Sequence, residues 1–122
     1  MAKVKVRTRH KRVKFFHKPN CTSCRKARGL LQKKGVLLDF RNLDKERLTA
    51  KELERLIGGR DHREFLNTRS AMYRRKKMKL SPPSRGEAIR MMAKEPNLIR
   101  RPVIVAGGRV VLGFDKDGIA RI

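Results

Sequence analysis

The sequence predicts a mixed α/β chain with the order β-α-β, a helical middle, and then β-β-α. Three observations carry this reading. An apolar run, Val13-Lys14-Phe15-Phe16, leads through a short polar segment into a helical pattern beginning around Cys21-Thr22-Ser23-Cys24. Two β-branched runs, Pro102-Val103-Ile104-Val105-Ala106 and Arg109-Val110-Val111-Leu112, flank Gly107-Gly108, a strong hairpin signal. Between these ends, Thr49-Ala50-Lys51-Glu52 and Ser84-Arg85-Gly86-Glu87 are capping boxes, in which a hydroxyl takes a backbone N–H and a glutamate reaches back.

Residues 1–12 form a basic arm. Its Lys-Val-Lys-Val-Arg alternation could make an edge strand, but the charge density argues for disorder in isolation. Val13–Phe16 is the first strand and Cys24–Lys34 the first helix, with Gly35 as a left-handed stop. Val36–Asn42 reads as the second strand. Leu53, Leu56 and Ile57 give the next helix its apolar face, and Gly58-Gly59 end it. The stretch from Arg60 to Leu80 reads as short helices and loops, with Arg74-Arg75-Lys76-Lys77 exposed. Pro82-Pro83 disfavours helix up to that point. Ala88, Ile89, Met91, Met92 and Ala93 then supply a helical apolar pattern, and Asp115–Ile122 closes the chain as a short helix. A chain of 122 residues suffices for one core, so residues 13–122 are expected to form a single domain behind the arm.

Lys and Arg number 34 against 11 Asp and Glu, a formal charge of +23, which attracts polyanions without regard to sequence. Seven of these cations lie within residues 1–14; this basic arm and the Arg74–Lys77 cluster read first as solvated charge, with non-specific RNA or DNA contact as the alternative. No Trp and a single Tyr, Tyr73, argue against an aromatic stacking platform. No apolar stretch approaches the roughly 20 residues of a membrane span, and the basic N-terminus lacks the apolar core of a secretory signal. A cytoplasmic protein with no membrane association is therefore expected.

Cys21 and Cys24 are the only cysteines. So close a pair cannot staple a fold; in a cytosolic chain it reads as redox chemistry or half of a metal site. Zinc takes about four ligands, and only His10, His17 and His62 could add nitrogen donors, so no metal is expected. At the start of a helix the first sulfur meets unpaired N–H groups and the positive end of the dipole. Both favour the thiolate and lower the thiol pKa.

Four segments extend the pattern: His17-Lys18-Pro19-Asn20-Cys21-Thr22-Ser23-Cys24-Arg25-Lys26-Ala27, Leu66-Asn67-Thr68-Arg69-Ser70, Pro96–Val105, and Gly113-Phe114-Asp115. In this order and spacing the chain resembles the arsenate reductase/Spx (ArsC-like) family, whose members have a thioredoxin-like fold with a helical insertion. The resemblance implies that Cys21 is the nucleophile and that Arg101 faces it from the start of the third strand. Pro102 would be the cis-proline of the fold, and Arg69 a further basic residue lining the site. His17 matches the histidine that, in glutaredoxin-coupled arsenate reductases, precedes the reactive cysteine by four residues and helps keep it ionised.

Two functions follow from the resemblance. The first is a thiol-dependent oxidoreductase of arsenate reductase type, with a small oxyanion or thiol substrate. Cys24 would resolve the intermediate, no cofactor would be bound, and glutathione/glutaredoxin or thioredoxin would donate electrons. The second is a Spx-like regulator whose Cys21–Cys24 pair switches between dithiol and disulfide, with the RNA polymerase α-subunit as partner and no catalysis. Val111-Leu112-Gly113-Phe114-Asp115 stands where the glutaredoxin-coupled reductases carry Cys-Arg-Pro, and Cys-Thr-Ser-Cys-Arg-Lys-Ala looks more like Spx. His17, however, is not the Spx-type residue.

Overall fold

The computed structural model describes residues 12–122. The basic arm expected over residues 1–12, its candidate edge strand and His10 lie outside the described residues, Arg12 excepted. The chain forms two compact units, one from the segment ending at Asn42 together with Arg101–Ile122, the other from Leu43–Arg100.

The first unit is a four-stranded sheet in the order β2-β1-β3-β4. β1 (Val13–His17) pairs in parallel with β2 (Leu38–Asn42) and antiparallel with β3 (Val103–Ala106), which pairs antiparallel with β4 (Arg109–Leu112). The register Phe15↔Phe40 and Phe15↔Ile104 places Val13, Phe15, Ile104, Ala106 and Val111 on one face, since side chains alternate along a strand. That face packs with Cys24, Ala27 and Leu31 of α1 (Thr22–Lys33) and with Ile119 of the last helix, Lys116–Ala120, into one buried cluster. The β-hairpin turns at Gly107, whose φ of +63° is the left-handed value a tight turn demands.

Two element starts shift by two residues from the sequence reading. α1 begins at Thr22 rather than Cys24 because Cys21 itself is the N-cap, its sulfur accepting the Cys24 N–H. β2 begins at Leu38 rather than Val36 because the Val36 amide is spent closing α1. It donates to Leu31 O while Gly35 N donates to Gln32 O, a Schellman closure with Gly35 at φ +82°. Beside this closure, Lys34 Nζ donates to the carbonyls of Ile119, Ala120 and Ile122, at the end of the last helix, at 3.2, 2.8 and 2.9 Å. A cation there satisfies carbonyls that a helix terminus leaves open.

The second unit is helical. α2 (Ala50–Ile57) opens on the Thr49–Glu52 capping box and buries Leu53 and Ile57. A 3₁₀ turn, His62–Phe65, follows, then the short α3 (Ala71–Arg75) and α4 (Arg85–Lys94), which opens on the Ser84–Glu87 box and buries Ala88, Ile89 and Met92. A second 3₁₀ turn, Pro96–Leu98, was not foreseen; Pro at its start supplies the required φ and lacks an N–H that would go unpaired. The unit's flanking segments are tied by an antiparallel bridge, Leu66↔Ile99, with Asn67 N donating to Leu98 O at 2.7 Å and Arg100 N to Phe65 O at 2.8 Å. The final helix of the chain, Lys116–Ala120, is α5, capped by Asp115 through a 3.2 Å bond from Gly118 N. No helix of the described residues is long and apolar enough to cross a membrane.

Candidate active site

The site grows from the end of β1. The strand stops at His17, Pro19 and Asn20 make the turn, and Cys21 arrives in extended geometry (φ −108°, ψ 115°) as the N-cap of α1. Capping is normally done by an oxygen of Ser, Thr, Asp or Asn. Here a sulfur does it, with Cys24 N 3.3 Å from Cys21 Sγ. A thiolate accepts that bond better than a thiol, so capping and ionisation reinforce each other.

Both cysteines are free thiols; Cys21 is half-buried and Cys24 is buried on the apolar face of α1. Their ionisation is pulled apart. Burial alone would raise the Cys21 thiol, but the Cys24 S–H, the Cys24 backbone N–H and the Arg101 guanidinium all hydrogen-bond its sulfur. Together with the Arg101 charge they outweigh burial and hold Cys21 below its ordinary value. Cys24 is pushed up to about 12, first by burial and then by the hydrogen bond it donates to Cys21. The charge of that sulfur adds to the rise, while the Lys18 backbone N–H and Arg101 oppose it. The arrangement sets a thiol of lowered pKa, the better nucleophile of the two, beside a buried partner that stays protonated at neutral pH.

Arg101 immediately precedes β3, the strand antiparallel to β1, and the Arg101–Pro102 peptide is cis. The structure thus brings Cys21, Cys24 and Arg101 together, and the cis bond expected at Pro102 is present. His17 ends β1 with its ring against Phe15 and Phe40, at centroid distances of 5.8 and 5.4 Å. Burial first, and the Arg28 charge second, lower its pKa, so the neutral imidazole is favoured. The positive charge bearing on Cys21 comes from Arg101. Arg69 belongs to the second unit, where it lies exposed after Asn67. Its N–H donates to Asn67 Oδ1 at 3.0 Å and its carbonyl accepts from Arg74 Nη1 at 3.1 Å.

Sequence reasoning missed the Lys18 backbone N–H on Cys24 and the packing of Phe40 on His17. The first depends on the conformation of the turn and has no side-chain signature. The second was accessible in principle, because pairing the two strands in parallel sets Phe15 opposite Phe40.

The model of the ArsC family matches residues 16–122. The global transcriptional regulator Spx of Streptococcus mutans is 32% identical over 109 residues, covering 88% of this chain and 80% of that protein. Among solved structures, a possible arsenate reductase from Streptococcus mutans UA159 superposes with a TM-score of 0.74 at 28% identity, covering 85% of this chain and 92% of its own. An ArsC-family-related protein from Bacteroides fragilis reaches a TM-score of 0.79 at 26% identity, covering 89% of this chain and 95% of that one. With a match over nearly its whole length and the thioredoxin-like arrangement described above, this chain belongs to the ArsC family.

Proposed function

We propose that the chain is a thiol-dependent oxidoreductase of arsenate reductase type, with Cys21 as nucleophile and Cys24 as resolving cysteine. The observation that carries this is the Cys21 sulfur at the N-cap of α1, bonded by Cys24 N at 3.3 Å and by the Arg101 guanidinium. A small oxyanion such as arsenate fits that setting. Guanidinium forks and helix N–H groups bind oxygens in the plane and charge state such an anion offers. Arg101 would hold the anion.

The steps balance as follows. The Cys21 thiolate attacks arsenic(V), an S–As bond forms, and one oxygen leaves as water after taking up protons. Adduct formation removes the negative charge that helps hold Cys24 protonated. Cys24 loses its proton to water, and its sulfur attacks Cys21 Sγ. The S–S bond forms, the S–As bond breaks, and its electron pair reduces arsenic to the trivalent state. An external thiol donor, glutathione with glutaredoxin or thioredoxin, returns the disulfide to two thiols.

Purified protein given arsenate and each donor tests this by consumption of reducing equivalents. Turnover that disappears in Cys21→Ser is expected; a rate no higher than that of Cys21→Ser rejects the reductase reading. A second reading is favoured by the Spx regulator at 32% identity. In it the same pair is a redox switch on a surface that binds the RNA polymerase α-subunit, and no small molecule is turned over. Capture of the α-subunit in one redox state and not the other supports the switch; no capture in either state discards it.

A further inference from the structure

The second unit carries a concentration of charge that the thiol chemistry does not use. From Arg69 to Leu80 there are six cations (Arg69, Arg74, Arg75, Lys76, Lys77, Lys79) and no Asp or Glu. Elsewhere in the same unit cations are neutralised at close range, Arg60 by Glu64 at 2.8 Å, Arg63 by Asp61 at 2.7 Å and Arg85 by Glu54 at 2.9 Å. Among the described residues, none of the six is in an ion pair; Arg74 donates to a backbone carbonyl, that of Arg69.

These charges border a concave surface. Thr68, Tyr73, Arg74, Lys77, Lys79 and Leu80 line a cleft of about 720 Å³, in the size range that encloses a nucleotide-sized ligand. It presents one aromatic ring, one aliphatic side chain that is 83% exposed, and three cations. The backbone is also unusual here. α3 ends in a Schellman closure, with Lys77 N bonded to Arg74 O and Met78 N to Tyr73 O, both at 3.0 Å. The left-handed position of that closure usually holds glycine, because a Cβ is disfavoured there. In this chain Lys77 occupies it at φ +51°, the one non-glycine residue with positive φ among those described. A side chain kept at a position where its absence would be more stable points to a use for that side chain.

We propose that this cleft binds single-stranded nucleic acid, with Arg74, Lys77 and Lys79 on phosphates and the Tyr73 ring against a base. Charge complementarity selects a polyanion: three unpaired cations on one rim, in a chain of net charge +23. Shape selects the single strand. An unpaired base can enter a cleft and stack on a lone ring, whereas a stiff duplex presents its phosphates on a convex surface that cannot follow the walls inward. The same chemistry is met by single-stranded RNA or DNA, and the site is separate in residues and in mechanism from Cys21.

Fluorescence anisotropy of the full chain with labelled 15-mers of dT and rU, and with a duplex of equal length, tests the assignment. The control variant Lys51→Gln/Arg90→Gln removes two charges from α2 and α4 of the same unit. Each phosphate contact on a single strand contributes a salt slope of about 0.7, so Arg74→Gln/Lys79→Gln should lower the slope by about 1.4 and weaken binding about 25-fold at 0.1 M salt. The control pair should change it less than about 3-fold if location matters and not only total charge. Tyr73→Leu should cost about 5-fold or more from lost stacking. Lys77→Gly gives the sharpest readout. It should raise the melting temperature by a few degrees, about 4 °C for a domain of this size, yet weaken binding. Equal losses in the two charge-pair variants, or duplex bound as tightly as single strand, overturn the proposal. So does a Lys77→Gly protein that is stabilised and binds as well as its parent.

Discussion

Exposure of the reduced protein to iodoacetamide at pH 7 should label Cys21 and spare Cys24, and the size of the gap can be worked out. Cys24 is pushed up to about 12, by burial first and then by its bond to Cys21. A thiol at about 12 is ionised in roughly one molecule in 100,000 at pH 7, against about three in a hundred for an ordinary thiol near 8.5. That is a deficit of about 3,000-fold. A more basic thiolate is intrinsically more nucleophilic, by about 0.4–0.5 logarithmic units per pKa unit, which returns about 30-fold. The net handicap is about 100-fold, and burial of Cys24 adds to it by limiting access. Cys21 lies below its ordinary value and so carries no such handicap. Peptide mapping by mass spectrometry should therefore find Cys21 alkylated at least about 100-fold faster. In Cys21→Ala, the acceptor and the negative charge are gone while burial stays. Cys24 should then react faster than in the parent, though still more slowly than a free cysteine. Rates of the two cysteines within about 10-fold of each other at pH 7 would refute the reasoning. A Cys24 rate indifferent to Cys21→Ala would do the same.

Arg101→Gln removes the guanidinium that bonds the Cys21 sulfur, so thiolate absorbance near 240 nm should titrate at higher pH than in the parent; superimposable curves would remove Arg101 from the site. His17 is held below 6.5 in the folded state, so the unfolded chain takes up its proton first as pH falls. Its contribution to stability is full above the unfolded value and is lost as pH drops through the window beneath it. Urea midpoints at pH 7.5 and 5.5 should therefore differ less in His17→Gln than in the parent, and an equal difference argues against that origin. Gly118→Ala would put a methyl 2.8 Å from Asp115 Oδ2 and 3.0 Å from Val111 Cγ1. Shifting Asp115 breaks the cap of α5, so despite alanine's helix propensity a net loss of about 1–2 kcal/mol is expected in urea unfolding; a stabilised variant would show that Asp115 gives way freely.

Much of the fold was legible because its signals are local. Thr49 with Glu52 and Ser84 with Glu87 form the capping boxes their spacing announces, and Gly107 turns the hairpin between the two β-branched runs. The misplacements also have local causes, seen from the other side. A sulfur acting as N-cap moved the start of α1 back to Thr22, and helix closure consumed the Val36 amide before β2 could use it. Cysteine is not counted among the usual caps, and apolar pattern cannot tell a Val that closes a helix from one that opens a strand. At the site, the cysteines and Arg101 were legible, whereas the state of His17 was not. Its ring environment depends on the Phe15↔Phe40 register and on Arg28 reaching it.

The sequence by itself determined the order of elements, the position of Cys-Thr-Ser-Cys at a helix start and the ArsC-like character of the chain. These rest on spacing, capping and turn chemistry that act within a few residues. Only the tertiary structure decided that the pKa values of two cysteines of one motif move in opposite directions, and that Arg101 meets the Cys21 sulfur. Only there, too, do three of the cations of residues 69–80 rim a cleft with Tyr73. A proton's affinity is set by burial and by the charges that distant segments bring within reach, and neither is written in the order of neighbouring residues.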